Sequence, residues 1–301
     1  MRNIDVHQHL WSAPFIEALR GRRTPPYLDG WTLHLAGEPP YEVDPADHDI
    51  AVRAGQVEAD GIDLALVSLS SPLGIEGLPA GEARPLLDAY HAGALTLPHP
   101  FGSWAAASVR DIDAGQLAKD LDQGFAGLQL PATALADAAG YDRCGPLLDV
   151  LEERGLPLFV HPGPAPGTGG GPAWWPALVP YVQQMHSAWF AFRAFGRPRH
   201  PRLRVCFALL AGLAPLHGER LAARGGGRGE VDPGAYVETS SYGPRAADAA
   251  VRALGIDVIV HGTDRPYAGP ADLALGEAAH HAFRVTNPHR LLTGKEPIHA
   301  A

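Results

Sequence analysis

Short apolar runs recur along the chain, separated by longer stretches in which apolar and polar positions follow helical spacing. Three junctions share one grammar. Val57-Glu58-Ala59-Asp60-Gly61 leads into an apolar run at residues 62–69, Leu151-Glu152-Glu153-Arg154-Gly155 into one at 156–160, and Arg252-Ala253-Leu254-Gly255 into one at 256–260. The glycines suit the position that ends a helix with positive φ, and the runs that follow suit strands buried on both faces. Further candidate strands lie at residues 2–8, 101–109, 125–130, 203–209 and 235–239. Eight strands alternating with helices give the count and order of a (β/α)₈ TIM barrel. The alternative, a doubly wound open sheet, loses weight because no glycine-rich dinucleotide turn follows the first strand.

Two long segments interrupt this rhythm. After a short helix at Ala13–Arg20, residues 21–46 are rich in Pro, Gly and aromatics, with a turn at Asp29-Gly30 and a small strand near Trp31-Thr32-Leu33-His34-Leu35. Residues 162–176 combine prolines and glycines with Trp174-Trp175. Insertions of this length in a compact domain are usually binding loops or lids. The expectation is therefore one distorted barrel domain over residues 1–301, with lid insertions after strands 1 and 5.

Composition narrows the function classes. A net charge of −9 without a basic stripe argues against a nucleic-acid surface. No run reaches the length of a membrane span, and Met1-Arg2-Asn3 is not a secretory start, so a cytoplasmic protein is expected. Cys144 and Cys206 sit in apolar contexts and read as inert core thiols.

The chemistry gathers at strand ends. In Ile4-Asp5-Val6-His7-Gln8-His9 the two imidazoles project from one face of an extended strand. The fifth strand ends in His161, and the eighth runs into His261-Gly262-Thr263-Asp264-Arg265-Pro266. Functional groups of such barrels sit where strands give way to the following loops. Three imidazoles and a carboxylate there make a sensible shell for a divalent ion with an open position for water. His261 has the opposite strand parity to Asp264 and is expected to face away. His34 and His48 read as polar filler, and His91, His99, His200, His280, His281, His289 and His299 as surface residues.

The chain resembles the amidohydrolase superfamily, in particular the amidohydrolase-related branch that includes aminocarboxymuconate-semialdehyde decarboxylase. The matching pieces are Asp5-Val6-His7-Gln8-His9, residues 156–163, Leu203-Arg204-Val205-Cys206-Phe207-Ala208, Val237-Glu238-Thr239-Ser240, His261-Gly262-Thr263-Asp264-Arg265-Pro266 and Asn287-Pro288-His289-Arg290-Leu291-Leu292, in family order. The resemblance implies that His7, His9, His161 and Asp264 are metal ligands. It also exposes a departure: Leu209 stands where the family's sixth strand ends in a histidine that activates water or orients substrate. Asp264 is the first candidate to take over that proton, then His217, then His186. Some relatives bridge two metals through a carboxylated lysine on the fourth strand. This chain has only Lys119 and Lys295, and Gln129 on that strand, so one metal is expected. Zinc suits three nitrogen ligands and one oxygen; manganese, iron and cobalt are also accommodated. Trp11, Trp174, Trp175, Arg265 and His186 are candidate substrate contacts.

The leading expectation is a mononuclear metal-dependent hydrolase of a small amide, ester or lactone. A non-oxidative decarboxylase or a metal-assisted cyclase or hydratase of the same family comes second. A binding barrel with lost catalysis is the contrasting class, favoured by Leu209 and opposed by the intact ligand set. Family relatives are often dimers, which makes a homodimer an expectation as well.

Overall fold

The computed structural model describes residues 2–36, 38–165, 171–227 and 230–296. The strands expected from the apolar runs are all present: β1 (Ile4–Gln8), β5 (Leu64–Val67), β6 (Phe101–Ser103), β7 (Ala105–Ala106), β8 (Leu128–Pro131), β9 (Leu158–His161), β10 (Val205–Phe207), β11 (Ala235–Glu238) and β12 (Ile259–Val260). They pair in parallel in the orders β1-β5-β6 and β12-β11-β10-β9-β8-β7. Trp104 joins β6 to β7, so the two together make the third strand of one continuous wall. The wall closes where Val6 N–H donates to the His261 carbonyl (3.0 Å), Asp264 N–H to the His7 carbonyl (2.8 Å) and His9 N–H to the Arg265 carbonyl (2.7 Å). The result is an eight-stranded parallel barrel, with the C-terminal ends of its first and last strands laced together.

Helices alternate with these strands because their sequences stop cleanly. In α2 (Ile50–Ala59) the Asp49 carboxylate accepts from the N–H groups of Ala51 and Val52, and Gly61, at φ +68°, turns the chain into β5. In α5 (Ala138–Arg154) Asp137 caps the start and Gly155, at φ +61°, ends the helix before β9. A non-glycine residue at either glycine would carry a left-handed backbone strained by roughly 1–2 kcal/mol. Inside the barrel Trp104 and Phe159, both fully buried, stack at 5.3 Å, and the Trp104 indole N–H donates to the Val6 carbonyl. Cys144 and Cys206 are free and buried, and burial pushes both thiols up.

The first long insertion is more ordered than a plain loop. It forms a small antiparallel sheet, β2 (Tyr27–Asp29), β3 (Thr32–His34) and β4 (Tyr41–Glu42), which buries Leu28 and Leu33 against the core. The expected turn at Asp29-Gly30 joins its first two strands. In the second insertion residues 166–170 lie outside the described residues; Trp174 and Trp175 stand exposed just before and at the start of α6 (Trp175–Leu178). The sixth barrel strand stops at Phe207, earlier than its apolar run. Residues 209–213 then form a left-handed turn, with φ between 47° and 60° at Leu209, Leu210, Ala211, Gly212 and Leu213.

Several histidines assigned to the surface are buried instead. His48 stacks between Trp11 and Trp31, and its Nδ1 accepts from the Trp11 backbone N–H. His91 accepts from the Ala106 N–H, and His200 is enclosed with Asp149 nearby. His48 and His91 found partners that their polarity alone did not disclose, while both ring nitrogens of His200 are buried without a hydrogen bond. His34 stacks half-buried on Tyr27, His289 is half-buried, and His99, His280 and His281 are exposed. His299 lies outside the described residues.

Candidate metal centre

Strand β1 presents His7 and His9, and a register shift between Asp5 and Gln8 against β5 locally re-aims this segment. His161 ends β9, and Asp264 follows β12 at φ +60°. The three rings meet edge-on at centroid separations of 4.9–5.0 Å. One ligand atom from each of His7, His9, His161 and Asp264 lies within 4.8 Å of the others. His7 Nε2 and His9 Nε2 are 3.1 Å apart, and the Asp264 Oδ1 atom is 3.4 and 3.2 Å from them.

The surroundings of these rings decide which nitrogen faces the centre. A carbonyl oxygen can only accept, so His9 Nδ1 must donate to the Ser68 carbonyl (3.0 Å) and His161 Nδ1 to the Pro162 carbonyl (2.8 Å). His7 Nδ1 donates in the same way to the Glu238 carboxylate at 3.1 Å. Burial, first of all, keeps His9 and His161 below the usual imidazole range and therefore neutral. Their Nε2 lone pairs then point inward, toward an Asp264 Oδ1 atom that is buried and has no hydrogen-bond donor. A cluster made of acceptors asks for a cation. His7 reports the same deficit: burial works against its charge, yet the carboxylates of Asp264 and Glu238 raise its pKa. The donor set fits a divalent ion.

Glu238, at the end of β11, is the residue that reading the sequence missed as a site component. Fully buried, it accepts from His7 Nδ1, from the Leu209 N–H (2.7 Å), from the Ser240 N–H (2.6 Å) and from the Ser240 hydroxyl (2.7 Å). Burial opposes its charge, but His7 and these hydrogen bonds hold its pKa below the usual value. A second lattice fixes the strand ends. Asp5 accepts from the Thr263 N–H and hydroxyl, from the His7 N–H and from the Gln8 amide, which ties β1 to the segment bearing Asp264. Buried Arg53 donates to the His9 carbonyl and to Gln8 Oε1, both at 2.7 Å.

The remaining candidates scatter. Trp11 is core, 3 % exposed, between His48 and Phe15, because its indole finds better company inside than at a rim. Arg265, expected to meet a substrate carboxylate, is paired with Asp60 at 2.8 Å. His186, on α7 (Pro180–Ala191), and exposed His217 face one another at 5.1 Å, and their ring contacts are with each other and Phe190 rather than with the ligand cluster. Leu209 is buried in the left-handed turn. His261 is outside the ligand set, as its parity requires, and burial drops it to about 4.

Solved structures share this arrangement of strands from end to end. The IDCase of Metarhizium anisopliae superposes with a TM-score of 0.77 at 18% identity, covering 97% of each chain. The 5-carboxyvanillate decarboxylase of Sphingomonas paucimobilis gives 0.74 at 18%, covering 97% of this chain and 98% of that one. A second 5-carboxyvanillate decarboxylase, from Novosphingobium aromaticivorans and solved with manganese and a substituted nitrobenzoic acid, gives 0.72 at 16%, covering 97% of each. The chain has the amidohydrolase barrel fold. At this identity the likeness speaks for the fold, and the amidohydrolase barrel supplies the frame on which the His7, His9, His161 and Asp264 geometry has to be judged by its own chemistry. No family model matches the chain, and no curated protein matches it. No helix among the described residues is long and apolar enough to cross a membrane.

Proposed function

We propose that the protein is a metal-dependent, non-oxidative decarboxylase of a small aromatic carboxylic acid. One observation carries the reading: an inward-facing set of acceptors from His7, His9, His161 and Asp264, on a barrel that runs nearly end to end with two carboxyvanillate decarboxylases and a 2,6-dihydroxybenzoate decarboxylase. These four residues would hold one divalent ion, and manganese is the ion named with a neighbour. When bound, such an ion supplies a Lewis acid for the substrate's oxygens.

The chain's own groups do the rest. Ser68, Pro162 and Glu238 keep the imidazoles in the tautomer that offers Nε2. Asp264 is the one ligand with appreciable exposure, 17% at its side chain, so it alone of the four reaches both the cluster and the open mouth. Its carboxyl can carry a proton to the ring carbon as the bond from that carbon to the carboxylate breaks, giving the arene and carbon dioxide. Decarboxylation needs that one proton delivered. Hydrolysis would need one group to take a proton from water and one to protonate the leaving group, and with Leu209 in place of a histidine Asp264 would have to serve for both. This asymmetry favours decarboxylation over the hydrolysis that the motifs first suggested. We place the exposed Trp174 and Trp175 as cover over the substrate.

The test loads the purified protein with Mn²⁺ or Zn²⁺ and screens hydroxybenzoates for carbon dioxide release beside a panel of esters, amides and lactones. Chelator-sensitive release from a hydroxybenzoate is expected. Chelator-sensitive hydrolysis with no carbon dioxide would overturn the proposal.

A further inference from the structure

Asp264 does more than end a strand. Its positive φ turns the chain back across the barrel mouth, where the Ala268 N–H donates to the Asp264 carbonyl at 3.1 Å. Tyr267 lies within that turn, and its ring sits over His9 with centroids 5.4 Å apart and planes at 59°. The aromatic rings in contact with the three histidines, apart from the histidines themselves, are Phe159 and Tyr267 among the described residues. Phe159 is sealed inside the barrel; Tyr267 is 49% exposed. One side of this phenol ring therefore packs on a residue of the acceptor cluster while much of the rest is open to solvent. A large aromatic surface left open beside a buried polar centre is the usual wall of a ligand site. The phenol group lies near the Ser70 side chain, whose hydroxyl accepts from the Trp11 indole.

We propose that Tyr267 is a substrate-contact residue that sets specificity, its exposed face stacking on the planar ring of an aromatic carboxylic acid whose carboxylate is drawn to the centre. The assignment rests on the decarboxylase reading for the class of acid. It does not rest on turnover. At the end of β10 stands Leu209, an apolar side chain, with its N–H held by Glu238. Tyr267 adds the preference for a flat ring.

The experiment measures, by calorimetric titration, binding to the Mn²⁺-loaded protein of two acids of equal charge and similar size, benzoate and cyclohexanecarboxylate. Wild type is compared with Tyr267→Phe, Tyr267→Leu and Tyr267→Ala, with metal content and melting temperature recorded for each. Because Tyr267 is half exposed, the leucine variant preserves bulk if the alanine variant misfolds. Stacking contacts contribute a factor of roughly two to ten. Loss of the ring is expected to weaken benzoate by about that factor, leave the saturated acid nearly unchanged and spare metal content; Tyr267→Phe keeps the preference. Equal weakening of both acids, or of neither, overturns the assignment. Tyr267-dependent binding without carbon dioxide release from any hydroxybenzoate overturns the decarboxylase reading and supports this one. Release of carbon dioxide with Tyr267-independent binding does the reverse, and failure of the wild type to bind either acid overturns both.

Discussion

Replacing Glu238 with glutamine tests whether the acceptor cluster is a metal site held in tune from behind. The change is nearly isosteric and removes one charge. Oε1 of Glu238 serves His7 Nδ1, the Leu209 N–H and the Ser240 hydroxyl, while Oε2 serves the Ser240 N–H at 2.6 Å. A glutamine that keeps its oxygen at the first position must point its amide at the Ser240 N–H, donor against donor; one that flips loses His7 and Leu209 instead. Either way at least one hydrogen bond to a charged group is lost in a fully buried place, about 1.5–3 kcal/mol. The imidazole of His7 also loses the carboxylate that polarises it, which in comparable metal sites costs roughly 10–100-fold in affinity. We therefore expect Glu238→Gln to fold with a melting temperature a few degrees lower and to bind Mn²⁺ or Zn²⁺ at least about tenfold more weakly. Calorimetric titration of the stripped protein, with circular dichroism as the control for folding, measures both. Metal affinity unchanged within about twofold in a folded variant would refute the tuning argument, because a purely structural carboxylate would lower stability alone.

Asp264→Asn keeps the shape and one ligating oxygen but cannot carry a proton, so we expect a folded protein that still takes up metal and loses carbon dioxide release by roughly 10²–10⁴-fold; near-normal turnover would move the proton-carrying role elsewhere. His161→Ala removes one inward lone pair, and metal content after dialysis against a micromolar excess is expected to fall below one ion per two chains, while full occupancy would mean that His161 is not a ligand. Glu76 is buried, and burial raises its carboxyl from 4.5 to about 7; the folded protein therefore binds this proton more tightly than the unfolded chain, and the group is a liability that grows as pH rises from 4.5 through 7, reaching about 3 kcal/mol above that range. Melting curves should show Glu76→Gln gaining on wild type between pH 5 and pH 8, and a difference that stays flat with pH would contradict the assignment.

What could be read from the sequence was what a single strand can announce by itself. Buried parallel strands are largely apolar, and several of the helices before them stop at a glycine with positive φ, as at Gly61, Gly155 and Gly255; both signals are local. The same holds for His7, His9, His161 and Asp264, because a ligand at a strand end needs only its strand and the rule that such ends converge. Glu238 was harder. A glutamate closing an apolar run looks like an ordinary strand terminus, and the partners that give it a role, Leu209 and His7, lie 29 and 231 positions away. Arg265 and Asp60, 205 apart, hid from each other in the same way. Trp11 and His48 were read apart, one as a candidate substrate contact and the other as polar filler, whereas their mutual stacking, at 4.3 Å and 7°, places both in the core. Tyr267 escaped because its position follows from the backbone of Asp264, and nothing in the letters around Asp264 announces a positive φ.

Leu209 takes on a different meaning in this light. It opens a left-handed turn in which Leu209, Leu210, Ala211 and Leu213 all carry side chains, a conformation that disfavours each by roughly 1–2 kcal/mol. Such a turn persists only where its surroundings over-determine it. Two features do so here: the Leu209 N–H is held by the buried Glu238 carboxylate, and Gly212 approaches the Val182 carbonyl so closely that an added Cβ would stand 2.5 Å from it. The turn thus joins the end of the sixth barrel strand to the carboxylate behind His7 and to α7 in a single step. The contact to Glu238 is made by the backbone N–H of Leu209 and not by its side chain, so that contact does not depend on which side chain stands at 209. A leucine here supplies no proton acceptor, and the backbone contact that supports the cluster is kept. That is the combination expected of a site that keeps its ion and delivers its one proton from Asp264.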